Sequence, residues 1–471
     1  MDTHTNKNNL YDCIVIGAGA AGLFYAAAGS ISTESISAES IPVTTTPARN
    51  LLLEKTARPG QKLLMSGNGM CNITHGGSIK DFIDKYGAHG RLIRKTLYKH
   101  NNLELMSMLE SLGVPLTERD DGKVFPASMK AKDVLDALLS VIANWQLMCG
   151  AEVVSIKILP QGNARESVPE SIQEPAQNGL VEIALSDGRT FLTKKLVIAT
   201  GGSSYPSTGS DGSFFDVLRR DLDLAIVTPR PALAPVYVQD YEYGELSGIS
   251  FDDVEVSCKQ PLYSEIGQDP GAKNKKKSEK IVTRGPMLLT HRGFSGPAIL
   301  HISQYVRPGM LIRINYLPHM NTEQIIEKIK ADRAGNNTSA ANYIAAQFGL
   351  PKAFAAKLCS VLVPAGDGAG TARERSKKLS QLSNKDVCIL AAQLTAHEYS
   401  VSGTGGWNDA MVTAGGVALD QIDLKTMRLM RTSQFDGADI RIIGEALDIN
   451  GDTGGYNLQF AYSSAMAALY D

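Results

Sequence analysis

Three glycines and one acid are spaced to hold a dinucleotide. Residues 14–22 read IVIGAGAAG, an apolar run that enters a glycine turn. Gly17 permits the tight turn, Gly19 lets backbone approach a pyrophosphate, and Gly22 allows close helix–strand packing. Ala18, Ala20 and Ala21 fill the turn with small side chains. A helix starting there aims free N–H groups and its positive end at phosphates. Leu51-Leu52-Leu53-Glu54-Lys55 follows as a second strand. Its terminal acid, Glu54, is placed to accept hydrogen bonds from a ribose. The spacing from Gly22 to Glu54 exceeds the usual value of about 20 residues. The excess, Ser30–Thr46, reads as a loop inserted between helix and strand.

Four further segments extend this chemistry. Gly60–Asn72 is dense in glycine and small polar residues, with Lys62, Ser66, Gly67, Asn68, Gly69, Cys71 and Asn72. Its N–H groups could form a nest for phosphate or ring carbonyls. Ala199-Thr200-Gly201-Gly202 ends a short apolar strand, where open α/β sheets place ligands. Ile442-Ile443-Gly444-Glu445 ends another, and Asp448 follows; Glu445 suits a ribityl hydroxyl. Gly454, Gly455, Tyr456, Asn457 and Leu458 open a final helix, whose N-terminus suits the negative edge of a reduced flavin. Each segment alone also fits an ordinary turn or cap. In this order they fit FAD better than NAD. Val154, in a strand expected over 151–158, completes the candidate cofactor contacts.

The elements that must position these residues follow from periodicity. Helical patterns run over 91–112, Ala131–Ala143, 321–360 and 384–395. Short strands are expected at 151–158, 180–186, Leu196–Ala199, Val236–Val238, Val254–Val256, Ile281–Thr283, Leu311–Ile314 and Met411–Val417. The middle of the chain therefore reads as a small β-barrel or sandwich followed by helices, inserted into an α/β nucleotide-binding fold. The expected boundaries are 10–225 for the first part of that fold and 226–320 for the barrel. The helical subdomain spans 321–395, and 396–471 returns to the barrel edge and the nucleotide-binding fold.

Composition sets limits. The chain has 471 residues, 43% hydrophobic and 20% charged, with net charge −2. That balance does not ask for nucleic acid or an anionic membrane. Lys273–Lys277 lacks interleaved aromatics and reads as a solvated loop. No apolar run suffices for a membrane span, and Met1–Asn9 is too polar for a signal peptide. Six scattered cysteines fit a reducing cytoplasm and no metal site.

The combination resembles the BaiN-like flavoproteins, the aminoacetone oxidase family of FAD-binding enzymes. The resemblance runs from Tyr11 to about Leu469. It is carried by GAGAAG (17–22), LLLEK (51–55), GQKLLMSGNGMCNIT (60–74), KVFPASMKAKDVLDAL (123–138), TGGSSYPSTGSDG (200–212), LLTHRGFSGPAIL (288–300), VTAGGV (412–417) and GEALDINGDTGGYNLQ (444–459). It implies a glutathione-reductase-type Rossmann FAD domain in discontinuous pieces, with an inserted β-barrel domain carrying a small helical bundle. It implies pyrophosphate on Gly17, Gly19 and Gly22, adenosine ribose on Glu54, and flavin between Ser66–Asn72 and Gly454–Leu458. The chain departs from the family at Met70, where arginine is usual, at His75, and in Ala461–Ala465.

Flavin chemistry moves hydride, so the protein supplies position and proton control. His291, in Thr290–Pro297, is a candidate proton carrier, and Cys71 a candidate flavin contact or nucleophile. Tyr205 and Tyr456 are candidate pocket walls. The expected activity is FAD-dependent oxidation or reduction of a small organic molecule, with NAD(P)H visiting the flavin directly, since no second dinucleotide fingerprint occurs. An oxygen-using amine oxidase and an RNA-modifying or RNA-binding flavoprotein are the alternatives. The oligomeric state stays open.

Overall fold

The computed structural model describes residues 9–37, 48–159, 179–259, 280–362, 377–430 and 437–471. The expected loops at 161–178, 273–277 and most of 365–378 lie outside them. Two compact units emerge: Met1–Arg230 with Met411–Asp471, and Pro231–Ala410.

In the first unit the chain forms β1 (Leu10–Ile16), α1 (Ala20–Ser37), β2 (Asn50–Glu54) and α2 (Gln61–Met65). Then come β3 (Thr74–His75), β4 (Leu116–Glu118), β5 (Lys123–Pro126), β6 (Trp145–Cys149), β7 (Val153–Leu159), β8 (Leu180–Leu185) and β9 (Thr190–Ile198). The second unit holds β11 (Val236–Val238), β12 (Ser250–Lys259), β13 (Lys280–Leu289), β14 (Gly293–Ser295), β15 (Leu311–Asn315) and β16 (His397–Thr404). β10 (Ile226–Ala232) and β17 (Val412–Val417) pair where the chain leaves and re-enters the first unit. β18 (Ile422–Asp423), β19 (Arg428–Leu429), β20 (Asp439–Ile442) and the helix Tyr456–Tyr470 close the first unit.

Its main sheet runs β18-β19-β20-β9-β1-β2-β6, with β8 on β9 and β7 on β8. The central strands β20, β9, β1, β2 and β6 are parallel. Ile14, Val15, Leu51, Leu52, Leu53, Leu196, Val197 and Ile198 are wholly buried. A parallel sheet covered on both faces needs such uninterrupted apolar strands. The helix Tyr456–Tyr470 packs on α1, with Phe24 edge-on to Tyr462 at 5.6 Å.

Two expectations change here. The helix after the glycine turn does not end near Ala28; α1 continues to Ser37, so Ser30–Ser37 is helix rather than loop. Ser30 suits this, because its hydroxyl donates to Ala26 O at 2.9 Å and Asn144 Oδ1 at 2.7 Å. The segment 91–112 is two helices, Gly90–Lys99 and Asn102–Ser111. Asn101 separates them, its side chain capping Leu103 and Glu104 N–H.

The second unit is a closed antiparallel barrel, β11-β14-β13-β12-β15-β16. Val236, Val254, Val256, Ile312, Ile314 and Val401 are wholly buried. The helices Thr322–Asp332, Ala340–Phe348, Lys352–Cys359 and Asn384–Ala396 share its apolar core. Asn321 and Ser383 start two of them with reciprocal capping boxes, to Gln324 and Asp386. A polar cluster is buried in this core: the Tyr316 and Tyr399 hydroxyls lie 2.8 Å apart, and Tyr399 reaches His397 Nδ1 at 2.9 Å. Among the described residues no helix is long and apolar enough to cross a membrane, and no group of acids, histidines and cysteines could hold a metal.

Candidate flavin-nucleotide site

Register brings the candidate segments together. Ile16 lies opposite Leu53 and Ile198, and Ile198 opposite Ile442. The residues after β1, β2, β9 and β20 therefore emerge side by side at the carboxyl edge of the sheet, where α/β folds bind ligands. At this edge the three glycines have three different jobs. Gly17 has φ +101°, and a Cβ there would lie 2.4 Å from Ala199 O. A Cβ on Gly22 would lie 2.0 Å from Gly17 O. On Gly19 it would meet nothing within 4 Å. Gly17 and Gly22 are thus demanded by packing, whereas Gly19 leaves open space beside the α1 N-terminus. The first turn of α1 carries no acid to compete for that position. Ala18 and Ala21 are buried beneath it.

Glu54 is 8% exposed. One oxygen accepts from Ala18 N–H at 3.0 Å, the other from Thr56 N–H and its hydroxyl, both at 2.8 Å. A carboxylate has about four acceptor positions, so this one is held in place with room for a ribose hydroxyl. Lys55 is instead tied to Asp211 at 2.8 Å and Glu152 at 3.0 Å on the surface. Ala151 N–H donates to Glu54 O at 2.8 Å, and the exposed Val154 follows three residues on in β7.

Gly60–Asn72 is not a plain loop. Its first part is α2, and a tight turn over Ser66–Gly69 follows, with Gly67, Asn68 and Cys71 all at positive φ. Gly60 N–H donates to Ala18 O at 2.8 Å, fastening the segment to the glycine turn. Ser66 donates to Leu63 O at 2.7 Å, and Gly67, Asn68 and Gly69 are exposed. Lys62 reaches across to the Ser204 hydroxyl and to Glu445, at 2.5 Å from the acid. The other Glu445 oxygen accepts from Thr413 N–H at 2.7 Å and Ser204 Oγ at 3.1 Å. Thr413 Oγ1, wholly buried, accepts from Ser203 N–H at 2.7 Å and Ser204 N–H at 3.2 Å. Glu445 therefore serves three protein donors, as Glu54 does, which leaves about one of its four acceptor positions for a hydroxyl. Ser204 and Thr413 lie within the 200–212 and 412–417 segments, but nothing in the spacing of one serine in a turn and one threonine in a strand pairs them with Glu445. Thr200 and Gly201 lead into this network; Gly202 is pressed on Thr413, where a Cβ would lie 2.2 Å from Oγ1.

The C-terminal segment closes against Asn72–Thr74. The Asn72 amide accepts from Gly455 N–H at 3.2 Å and donates to Thr74 O at 3.1 Å, the orientation that its partners require. Gly455 has φ +90°, and a Cβ would lie 2.5 Å from Thr74 Cα. Asn457 locks the preceding turn through Gly451, accepting at 2.8 Å and donating at 2.9 Å. Gly444 N–H donates to buried Ser464 Oγ at 3.0 Å, and Asp448 accepts from Gly415 N–H at 2.9 Å. The last helix starts at Gly455 without a side-chain cap. The N–H groups of Tyr456, Asn457 and Leu458 therefore lack intrahelical acceptors and are available to an anion. The Tyr456 ring is 5% exposed and packs on His75, Phe82 and Tyr86. It belongs to an aromatic core rather than a pocket wall.

Cys71 is wholly buried, and burial pushes its thiol up to about 11. It stays protonated near neutral pH, which removes the nucleophile reading; only the thiolate attacks. His291 is exposed in the second unit, on the β13–β14 turn. Thr290 N–H and hydroxyl both donate to Gly293 O there, at 2.9 and 3.0 Å.

The open face at Gly19, the anchored acid Glu54 and the uncapped helix end at Gly455 suit FAD. Phosphates would sit by Gly17–Gly22, ribose on Glu54, and the flavin's negative edge at Gly455–Leu458. The HI0933-like protein Rossmann domain model matches residues 11–470. The chain belongs to the HI0933-like family. It is an FAD-dependent oxidoreductase, as this family's members are. It is 27% identical to the ribosomal RNA dihydrouridine synthase of Escherichia coli K12, covering 98% of each chain. The enzyme of that name from Haemophilus influenzae Rd is 28% identical, over 96% of each. The 3-dehydro-bile acid delta(4,6)-reductase of Clostridium scindens is 25% identical, over 96% of this chain and 97% of its own.

Proposed function

We propose that the protein reduces a ring carbon–carbon double bond conjugated to a carbonyl, with NAD(P)H as electron donor. One observation carries this reading. Over nearly its full length the chain resembles relatives named for dihydrouridine synthesis and for delta(4,6)-reduction, and both names describe saturation of such a bond. The chemistry that FAD would supply when bound is hydride transfer. The double bond gains one hydride and one proton, and NAD(P)+ leaves oxidised. The glycine turn, Glu54 and the Gly455 helix end would hold the nucleotide and disperse its charge. Six free cysteines fit a reducing cytoplasm.

Anaerobic mixing with NADH and then NADPH tests this. Rapid loss of flavin absorbance, followed by reoxidation with a cyclic enone, supports it. Failure of both nucleotides, with rapid bleaching by a primary amine, replaces it with amine oxidation. A second reading, uridine in RNA as substrate, is favoured by the two dihydrouridine synthase relatives. Net charge −2 offers little general attraction for phosphate backbone. Dihydrouridine appearing in ribosomal RNA incubated with enzyme and NADPH selects that substrate.

A further inference from the structure

Near neutral overall, the chain gathers positive charge in one place. From Lys85 to Leu103 five cations and two histidines occur without a single acid. Most of that stretch is the helix Gly90–Lys99 in the first unit. Ile93, Thr96 and Leu97 bury one side of it. Helical spacing then puts Arg91, Arg94, Lys95 and Lys99 together on the opposite side, and all four are exposed. Tyr98 stands among them, 43% exposed, and Leu92 beside them.

A solvated helix commonly sets acids three or four residues from its cations. This one has none. Among the described residues Lys99 is paired with Asp471, whereas Arg91, Arg94 and Lys95 have no carboxylate in ion-pair range. Asp81 and Asp84, on the turns packed against the helix, are exposed and form no ion pair with it. The start of the helix is fastened to the cofactor edge. His89, the residue before it, lies 3.8 Å from Asp448. Lys85 O accepts from Asp452 N–H at 2.8 Å, and the Tyr86 hydroxyl donates to Tyr456 O at 2.7 Å. Those partners belong to the segment that carries the Gly455 helix end. The helix is about 15 Å long, so a polymer laid along its face has one end beside the candidate flavin site.

We propose that this face binds the backbone of single-stranded RNA, with Arg91, Arg94 and Lys95 on phosphates and the Tyr98 ring stacked on a base. The inference rests on the reading of RNA uridine as substrate and deepens it. Clustered unpaired cations attract phosphates whatever the net charge of the chain. An exposed ring among cations is the pattern of single-strand binding grooves. A lipid surface fits less well, because a membrane-binding helix inserts its apolar side, and here that side is core.

The test uses full-length holoenzyme and a fluorescein-labelled oligouridylate, with anisotropy read across a tenfold range of salt. Each phosphate contact on a single strand contributes a slope of about −0.7 to log K against log salt. Arg91→Gln/Arg94→Gln/Lys95→Gln should therefore flatten the slope by about 2, roughly a hundredfold in affinity over that range. Tyr98→Ala should weaken binding about tenfold with the slope unchanged. Flavin content and circular dichroism should match wild type in both. No binding by wild type, an unchanged slope in the triple variant, or equal binding to phosphatidylglycerol vesicles overturns the proposal. RNA held by this face but never converted to dihydrouridine would remove the substrate reading and leave the face. Dihydrouridine formed equally well by the triple variant would remove the face and leave the reading.

Discussion

Thr413→Val probes the joint that ties four distant segments to the cofactor edge. Valine keeps the shape of threonine but loses the acceptor. Ser203 and Ser204 N–H, now 2.7 Å and 3.2 Å from Thr413 Oγ1, would be left buried without a partner. Each unsatisfied buried donor costs about 1–3 kcal/mol. The second bond is long, so roughly 2–4 kcal/mol is expected in total. Thr413→Ser keeps the oxygen and removes one buried methyl, at about 1 kcal/mol. The valine variant should therefore melt below the serine variant, by roughly 2–4 °C for each kcal/mol between them. Thermal unfolding followed by circular dichroism measures stability, and titration with FAD measures affinity on the same samples. Valine should lose on both. Valine as stable as wild type, or serine worse than valine, would refute the claim that hydrogen bonding rather than packing holds this joint.

Gly455→Ala should weaken FAD binding by at least about 30-fold, since its Cβ meets Thr74 backbone at left-handed φ and costs about 2 kcal/mol; equilibrium dialysis reads this directly. Glu445→Gln should leave the half-buried Lys62 without its anion and lower stability by about 1 kcal/mol, seen as a lower denaturant midpoint. Burial lowers His397 from 6.5 to about 4. The unfolded chain therefore binds the extra proton first as pH falls, and stability present above 6.5 is lost toward 4, by about 3 kcal/mol. Denaturant midpoints between pH 7 and 4 should fall for wild type and flatten for His397→Gln. Cys71→Ser should leave NADPH-driven flavin reduction within about twofold in stopped flow, because a buried thiol is inert.

Local chemistry carried much of this protein in plain sight. Gly17 and Gly22 mark a turn packed too closely for any side chain, Gly19 leaves its outer face open, and the acid ending the next strand completes the pattern. Apolar runs such as Leu51–Leu53 name the buried parallel strands, and short alternating runs name the barrel, because side-chain period follows backbone geometry. What tertiary structure alone decided is which polar groups meet. Lys62 and Glu445 are 383 residues apart, and Thr74 and Gln459 385 apart, yet each pair is hydrogen-bonded. No periodicity encodes such pairings; strand order β20-β9-β1-β2 brings Lys62 to Glu445, and the last helix packing on β3 brings Gln459 to Thr74. Packing also turned Tyr456 into an aromatic core, committed Lys55 to surface acids and carried α1 through Ser37, where sequence composition suggested a loop. Turn and strand rules act between neighbours in the chain, whereas a hydrogen-bond partner is chosen by whatever the folded sheet places within reach.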